Sequence, residues 1–279
     1  MLFSFSFLIP IFVGFVYEES SINIFISLMI GIFLVGCCSW VFTRKDGSDL
    51  SLSDGFIITV LFWLVLSLFG ALPFYFLGFS FVDSLFESMS GITTTGATVF
   101  SGLDELDKSV LIYRQLLQWM GGMGLIVLAI AVMPLLGIGG GQLFKTQTPG
   151  AMSNQKLTPR ITNTARALWL IYLGLTILCL SSYKLAGMSF FDSFAHALST
   201  VSIGGFSTHD ASIGFFNNIN IEIVCMVFMI LSAINFSLHY GLIYRKQFLK
   251  YFYDPELRFF LSIVFVITCL LYTSDAADD

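Results

Sequence analysis

The 279-residue sequence predicts an all-α integral membrane fold, a helical hairpin followed by helix–loop–helix repeats. Hydrophobic residues make up 56% of it and charged residues 11%, whereas soluble domains are about 25% charged. Apolar stretches of about 20 residues recur, the length that crosses a hydrocarbon core about 30 Å thick. The hydrophobic skeleton also occurs twice, 109 residues apart, each copy interrupted by a polar, glycine-bearing loop. These loops are Ser90-Gly-Ile-Thr-Thr-Thr-Gly-Ala-Thr-Val99 and Ser199-Thr-Val-Ser-Ile-Gly-Gly-Phe-Ser-Thr208.

Residues 1–47 read as the hairpin, a shorter apolar stretch Met1–Tyr17 and a span at 22–42. The first stretch has neither a basic leader nor a small-x-small cleavage site, so it is read as a genuine helix. The first repeat, 48–140, opens on the polar hinge Ser48–Asp54 and holds spans at 56–77 and 110–135. It closes on Gly137-Ile-Gly-Gly-Gly141, through which a helix does not easily continue. No strand precedes these glycines and no Gly-Lys-Ser/Thr follows, so they are not read as a phosphate cradle. Residues 141–160 form a connector, and the second repeat, 161–243, holds spans at 163–182 and 219–243. Residues 244–272 begin a third repeat with a span from Leu257 to Tyr272 that is cut off. The polar tail 273–279 has no counterpart in the repeat and is read as the product of a truncated or disturbed reading frame.

Charge sets the orientation. Arg44, Lys45, Lys145, Lys156, Arg160, Arg166, Arg245, Lys246, Lys250 and Arg258 are ten of the 13 basic residues, and all fall in alternate loops. The other loops carry acidic residues such as Glu18, Asp83, Asp104, Asp192 and Asp210. The positive-inside rule puts the N-terminus and the basic loops in the cytoplasm and the glycine-bearing loops outside. The net charge of −5 is divided between two aqueous compartments and says little about partners. Cys37, Cys38, Cys179, Cys225 and Cys269 lie in apolar segments with no metal or disulfide spacing.

Between Asp83 and about Thr93 there is room for three helical turns, roughly 16 Å or half the hydrocarbon thickness. Asp83 is the expected N-cap, with Glu87 in the first turn, and Asp192–Val201 repeats the arrangement. Each half-helix aims its partly negative C-terminus at the bundle centre. The chain then returns outward through Thr94-Thr95-Gly96-Ala97 or Ile203-Gly204-Gly205-Phe206. Irregular backbone at this depth must be buried in protein or line water. If it lines water, its carbonyl oxygens can replace a cation's hydration shell. Glycine permits the backbone angles that this requires. The absence of carboxylates from both stretches favours a monovalent ion over calcium or magnesium.

Other residues are read more plainly. Gly121-Gly-Met-Gly124 is a helix contact surface. Arg114 and Gln118 brace a loop or snorkel, and His196 is structural. Whether Asn235 and His239, on one face of the 219–243 span, line an inner cavity stays open. Ser207, His209 and Asp210 raise an intramembrane hydrolase, but they are nearly contiguous and lack a nucleophile elbow. A passive membrane scaffold would explain the spans but not the matched loops.

Phe86-Glu-Ser-Met-Ser-Gly-Ile-Thr-Thr-Thr-Gly-Ala-Thr98, Gln118-Trp-Met-Gly-Gly-Met-Gly124 and the run from His196 to Asp210 closely resemble the Trk/Ktr/HKT potassium transporter superfamily. Its bacterial TrkH-type branch fits best, and Asp54-Gly-Phe56, Gly70-Ala-Leu-Pro73 and Leu157-Thr-Pro-Arg160 also look like that branch. The resemblance covers about residues 8–272. It implies potassium-channel-like helix–pore-loop–helix repeats and potassium uptake through a filter at Thr94, Thr95, Gly96, Ala97, Ile203, Gly204, Gly205 and Phe206. Gly96, where sodium-selective plant relatives have serine, points to potassium. Isoleucine stands at 203 where threonine is common. The family has four repeats around one pore, so this chain is expected to be an N-terminal portion that is inactive alone. The resemblance further implies a bacterial inner-membrane location, homodimers of the complete protein and a cytoplasmic nucleotide-binding regulatory subunit. No cofactor besides the transported K+ and no nucleic acid partner is expected.

Overall fold

The computed structural model describes residues 1–43, 52–132 and 157–278, and those residues contain helices and connecting loops with no β-strand. A 3-10 turn, Leu2–Phe7, leads into α1 (Leu8–Tyr17), which turns back into α2 (Ile22–Thr43). The first repeat is α3 (Leu52–Phe76), α4 (Phe81–Ile92) and α5 (Lys108–Val132). The second is α6 (Leu157–Leu185), α7 (Phe190–Val201) and α8 (Ile219–Ala233). Then come α9 (Phe236–Arg245), α10 (Phe248–Tyr253) and α11 (Pro255–Asp278). Helix begins at Leu157, so only the earlier part of the expected connector remains, and it lies outside the described residues, as do Arg44–Ser51 and the glycine-rich break. Pro159 sits in the first turn of α6, where its missing N–H removes no helical bond.

Among the described residues, four helical stretches are long and apolar enough to span a membrane: Ile22–Thr43, Thr59–Phe76, Ala165–Leu185 and Pro255–Thr273. Their outer faces expose large apolar side chains, among them Phe42, Leu61, Leu178, Phe259 and Leu270. Exposure on that scale suits contact with lipid or with further apolar protein surface rather than with water. The chain is a multi-pass membrane protein. Its last helix continues to Asp278, carrying part of the expected polar tail with it.

The expected single span at 219–243 is instead two helices that meet at 88°. Ile234 takes extended angles and Asn235 non-helical ones, and the Asn235 side chain accepts from the Ser237 N–H to start α9 anew. His239 Nε2 donates to the carbonyl oxygen of Leu231 at 2.9 Å, satisfying one of the groups left at the end of α8. Asn235 also donates to Glu256 at 3.1 Å. These two polar residues hold a bend rather than share the face of one straight helix.

The hairpin docks onto the first repeat through charge as well as apolar packing. Glu19, just after α1, accepts from the Lys108 and Ser109 N–H groups at 2.6 and 2.9 Å, where α5 starts and its dipole favours an anion. Phe7, Phe25, Phe74 and Tyr113 pack together beneath it, and the Tyr113 hydroxyl donates to the Gly70 carbonyl. Helix α5 then runs between the inner ends of α4 and α7. A Cβ on Gly121 would overlap the carbonyl of Ile92 at the end of α4. One on Gly122 would come within 3.1 Å of the Ser202 side chain, just past α7. The expected contact surface is there, and it belongs to Gly121 and Gly122; beside Gly124 the nearest group is 4.0 Å away.

Candidate pore-loop site

The two short helices, α4 and α7, are built alike from the first residue. Their N-caps are Ser80 and Ser189, not Asp83 and Asp192 as expected. Each serine accepts from the N–H three residues on, at 3.1 and 3.0 Å, and donates its hydroxyl to that aspartate's carboxylate at 2.7 Å. This Ser-x-x-Asp box puts the carboxylate in the first turn, beside the positive end of the helix. It also moves Glu87 out of the first turn and into the buried middle of α4.

The inner ends also match. Thr95 N–H reaches the Ser90 carbonyl and Thr94 N–H the Gly91 carbonyl; Gly204 and Ile203 bond Ser199 and Thr200 in the same way. This pair of bonds is the Schellman ending, whose turning residue takes left-handed angles and is usually glycine. Here the turning residues are Thr94 and Ile203, both at φ +55°. A β-branched side chain in that region is strained. Two residues further, Gly96 (φ +79°) and Gly205 (φ +86°) turn each chain outward, where glycine carries no such strain.

The structure brings the two loops together. A Cβ built on Gly96 would overlap the carbonyl oxygen of Gly204 and lie 3.5 Å from the Gly205 Cα. One on Gly205 would lie 4.0 Å from the Gly96 Cα. Thr95, Ala97, Ile203 and Gly205 are exposed and Thr94 and Gly96 half-buried, whereas Gly204 and Phe206 are buried. Two of the eight carbonyls are engaged: Ala97 accepts from the Ser90 hydroxyl at 2.5 Å and Gly204 from Gln118 Nε2 at 2.7 Å. Among the described residues, the carbonyls of Thr94, Thr95, Gly96, Ile203, Gly205 and the buried Phe206 accept no hydrogen bond.

Behind the loops lies a polar brace. Arg114 and Glu87, both fully buried, form an ion pair at 2.6 Å. Arg114 also donates to the Ser207 carbonyl at 3.0 Å and to the Thr98 hydroxyl at 3.1 Å, and its guanidinium lies 4.4 Å from the Phe206 ring centre. Glu87 accepts from Thr98 Oγ1 at 2.9 Å and from the Val99 N–H at 3.2 Å. Gln118, one turn below Arg114, donates to Gly204 and accepts from the Phe206 N–H at 3.1 Å. Arg114 and Gln118 therefore brace, as expected, and they do so across repeats, from the first onto the loop of the second. That Glu87 completes the brace was not legible, because nothing local to it marks a partner 27 residues away.

The outer mouth is tied together too. His209 Nδ1 bonds the Asp104 carboxylate, its ring stacks on Phe215, and its Nε2 lies 3.4 Å from Asp192. Asp210 accepts from the Leu103 N–H at 3.1 Å. The hydrogen bond from His209 holds the Asp104 carboxyl below its ordinary range. Ser207 bonds the His196 ring, not the His209 side chain, so the three candidate hydrolase residues form no triad. His196 is structural, bonding the Asp192 carbonyl through its other nitrogen. Among the described residues no group of His, Cys, Asp and Glu is placed to hold a metal.

Spanning helices and paired re-entrant loops define a membrane protein of helix–loop–helix repeats with irregular backbone at its centre. A family model described as TrkH, cation transport protein, matches residues 20–276. The chain is 46% identical to the Trk system potassium uptake protein TrkH of Halomonas elongata, over 99% of this chain and 59% of that protein. It is 48% identical to TrkG of Escherichia coli K12, over 94% of this chain and 55% of that protein. The crystal structure of the potassium transporter TrkH from Vibrio parahaemolyticus superimposes with a TM-score of 0.84 at 44% identity, covering 97% of this chain and 56% of that one. The chain belongs to the TrkH family of cation transport proteins, and it spans a little over half the length of these relatives. The family so described is one of cation transport proteins, not of hydrolases.

Proposed function

We propose that this chain supplies two of the loops of a potassium-selective filter and that its full-length transporter takes up K+ across the bacterial inner membrane. Entering ions shed water and meet the main-chain oxygens of residues 94–97 and 203–206, the C-termini of α4 and α7 adding partial negative charge. The single observation that carries this reading is the approach of Gly96 to Gly205 with unclaimed carbonyls on both loops. The names of the relatives, potassium uptake proteins, support K+ as the ion. Within the set of eight, Thr94, Thr95, Gly96, Ile203 and Gly205 are the better oxygen donors, since Ala97 and Gly204 already accept hydrogen bonds and Phe206 is buried.

The same reading places the N-terminus in the cytoplasm, with the working protein a homodimer whose basic inner face meets a nucleotide-binding regulatory subunit. No cofactor besides the transported ion is invoked. Two loops make half a filter, so residues 1–279 alone do not restore growth of an uptake-deficient bacterium on low potassium. The full-length transporter does, and its Gly96→Ser variant admits more sodium relative to potassium. Unchanged sodium and rubidium fluxes in that variant would refute the filter assignment.

A further inference from the structure

We propose that Gln118 is a specificity-determining positioning residue, one that selects which oxygens of the second loop can meet an ion without touching the ion itself. The proposal rests on the filter reading above. Gln118 is fully buried and makes two bonds on either side of Gly205. Its Nε2 donates to the Gly204 oxygen, which belongs to the peptide unit before Gly205. Its Oε1 accepts from the Phe206 N–H, which belongs to the unit after it. Gly205, at φ +86°, is the one residue of this loop stretch free of a side chain's limits in that region. The two peptide planes flanking it are therefore the two that would otherwise rotate.

Peptide geometry gives the consequence. Among the described residues no peptide bond is cis, so each C=O points opposite to the N–H of its own unit. With the Phe206 N–H turned toward Gln118, the Gly205 carbonyl is turned away from α5, and Gly205 is an exposed residue. With the Gly204 carbonyl turned toward Gln118, that oxygen is withheld. The clamp thus holds one oxygen out and another back. A primary amide does both at once, its NH2 donating to one loop group while its oxygen accepts from the other.

Gly204 fits the same account. Its φ is not positive, so its glycine is not needed for the turn. A Cβ there would overlap the Gln118 side chain, coming within 2.7 Å of Nε2 as well as closer to Cδ and Oε1. Glycine at 204 makes room for the clamp. In the second repeat the positions 109 residues after Arg114 and Gln118 are Ile223 and Val227, whose side chains form no hydrogen bond. The device therefore belongs to the first and second loops and makes the filter unequal around its axis.

The test compares sodium-to-rubidium flux ratios of the full-length transporter in proteoliposomes for Gln118→Leu, Gly204→Ala and the Gln118→Ala/Gly204→Ala double variant, with Gly96→Ser alongside. Loss of both of these bonds is expected to reduce selectivity about tenfold or more in Gln118→Leu. Gly204→Ala should move the ratio the same way, and the double variant should be no worse than Gly204→Ala. A silent Gln118→Leu beside a responsive Gly96→Ser overturns the clamp and leaves the filter reading standing. If Gly96→Ser is silent too, the filter reading itself fails. Should Gln118→Leu not insert, Gly204→Ala decides, since it expels the amide without removing it; an unchanged ratio there overturns the clamp equally.

Discussion

Glu87 and His196 stand at the same step of the two half-helices, 109 residues apart, and hold matching hydroxyls: Thr98 at 2.9 Å and Ser207 at 3.0 Å. Each hydroxyl in turn accepts from the N–H two residues later, Phe100 or His209, at 3.1 Å. One loop is thus braced by a carboxylate and the other by an imidazole in one shared scaffold. The carboxylate needs a counter-ion and the imidazole does not, which accounts for a buried arginine paired with Glu87 while His196 has none beside it.

Removing that arginine leaves Glu87 charged and unpaired with no exposure to water. Arg114→Leu is expected to destabilise the protein by about 3–5 kcal/mol, read as a lower melting temperature in detergent. Arg114→Lys should recover little, because a single ammonium cannot reach Glu87, Thr98 and Ser207 in the planar fork that arginine presents. A melting temperature that Arg114→Leu leaves unchanged would contradict this role.

The two turning glycines are not equivalent. Both have positive φ, but a Cβ at Gly96 would also overlap the Gly204 carbonyl, while one at Gly205 meets nothing closer than 4.0 Å. Gly96→Ala should therefore lower the melting temperature and transport more than Gly205→Ala. Equal losses would mean that backbone strain alone decides the outcome and that the loops are further apart than described.

Thr94 and Ile203 predict the opposite sign. Left-handed angles cost a side-chain-bearing residue about 1–2 kcal/mol. Glycine relieves that strain but loses part of it again as chain entropy. Ile203→Gly should raise the melting temperature slightly while altering ion flux, since the Ile203 side chain is 46% exposed at the loop. A fall in melting temperature would show that the side chain's contacts outweigh the strain.

Much of this was legible in the sequence. The duplicated skeleton, the half-length helices and the glycines at 96 and 205 follow from spacing, because a 12-residue helix covers only about 18 Å. The break at Asn235 was hidden because hydropathy sees a continuous apolar run across it, and a lone asparagine signals a cap only when the chain has already stopped being helical. The N-caps were misplaced by three residues because both ends of a Ser-x-x-Asp box are residues that cap. The left-handed turns were hidden for a different reason: they fall on threonine and isoleucine, not on glycine or asparagine. The Glu87–Arg114 pair and the Gln118 clamp depend on chain segments that meet only after folding.

Acid should loosen the outer mouth. The Asp104 carboxyl is held below its ordinary range chiefly by the His209 hydrogen bond. A depressed carboxyl contributes stability above its unfolded value of about 3.9 and loses it as pH falls through the folded value. The melting temperatures of the wild type and Asp104→Asn should therefore differ at neutral pH and converge below about pH 4. A difference that stays constant across that range would remove Asp104 from the contact.

Thallium, a heavy monovalent stand-in for potassium, offers a direct look at the filter. Anomalous scattering from crystals of the full-length transporter grown with thallium should show density against the carbonyl oxygens of Thr94, Thr95, Gly96, Ile203 or Gly205. Density confined to other parts of the protein, with those oxygens bare, would contradict the account.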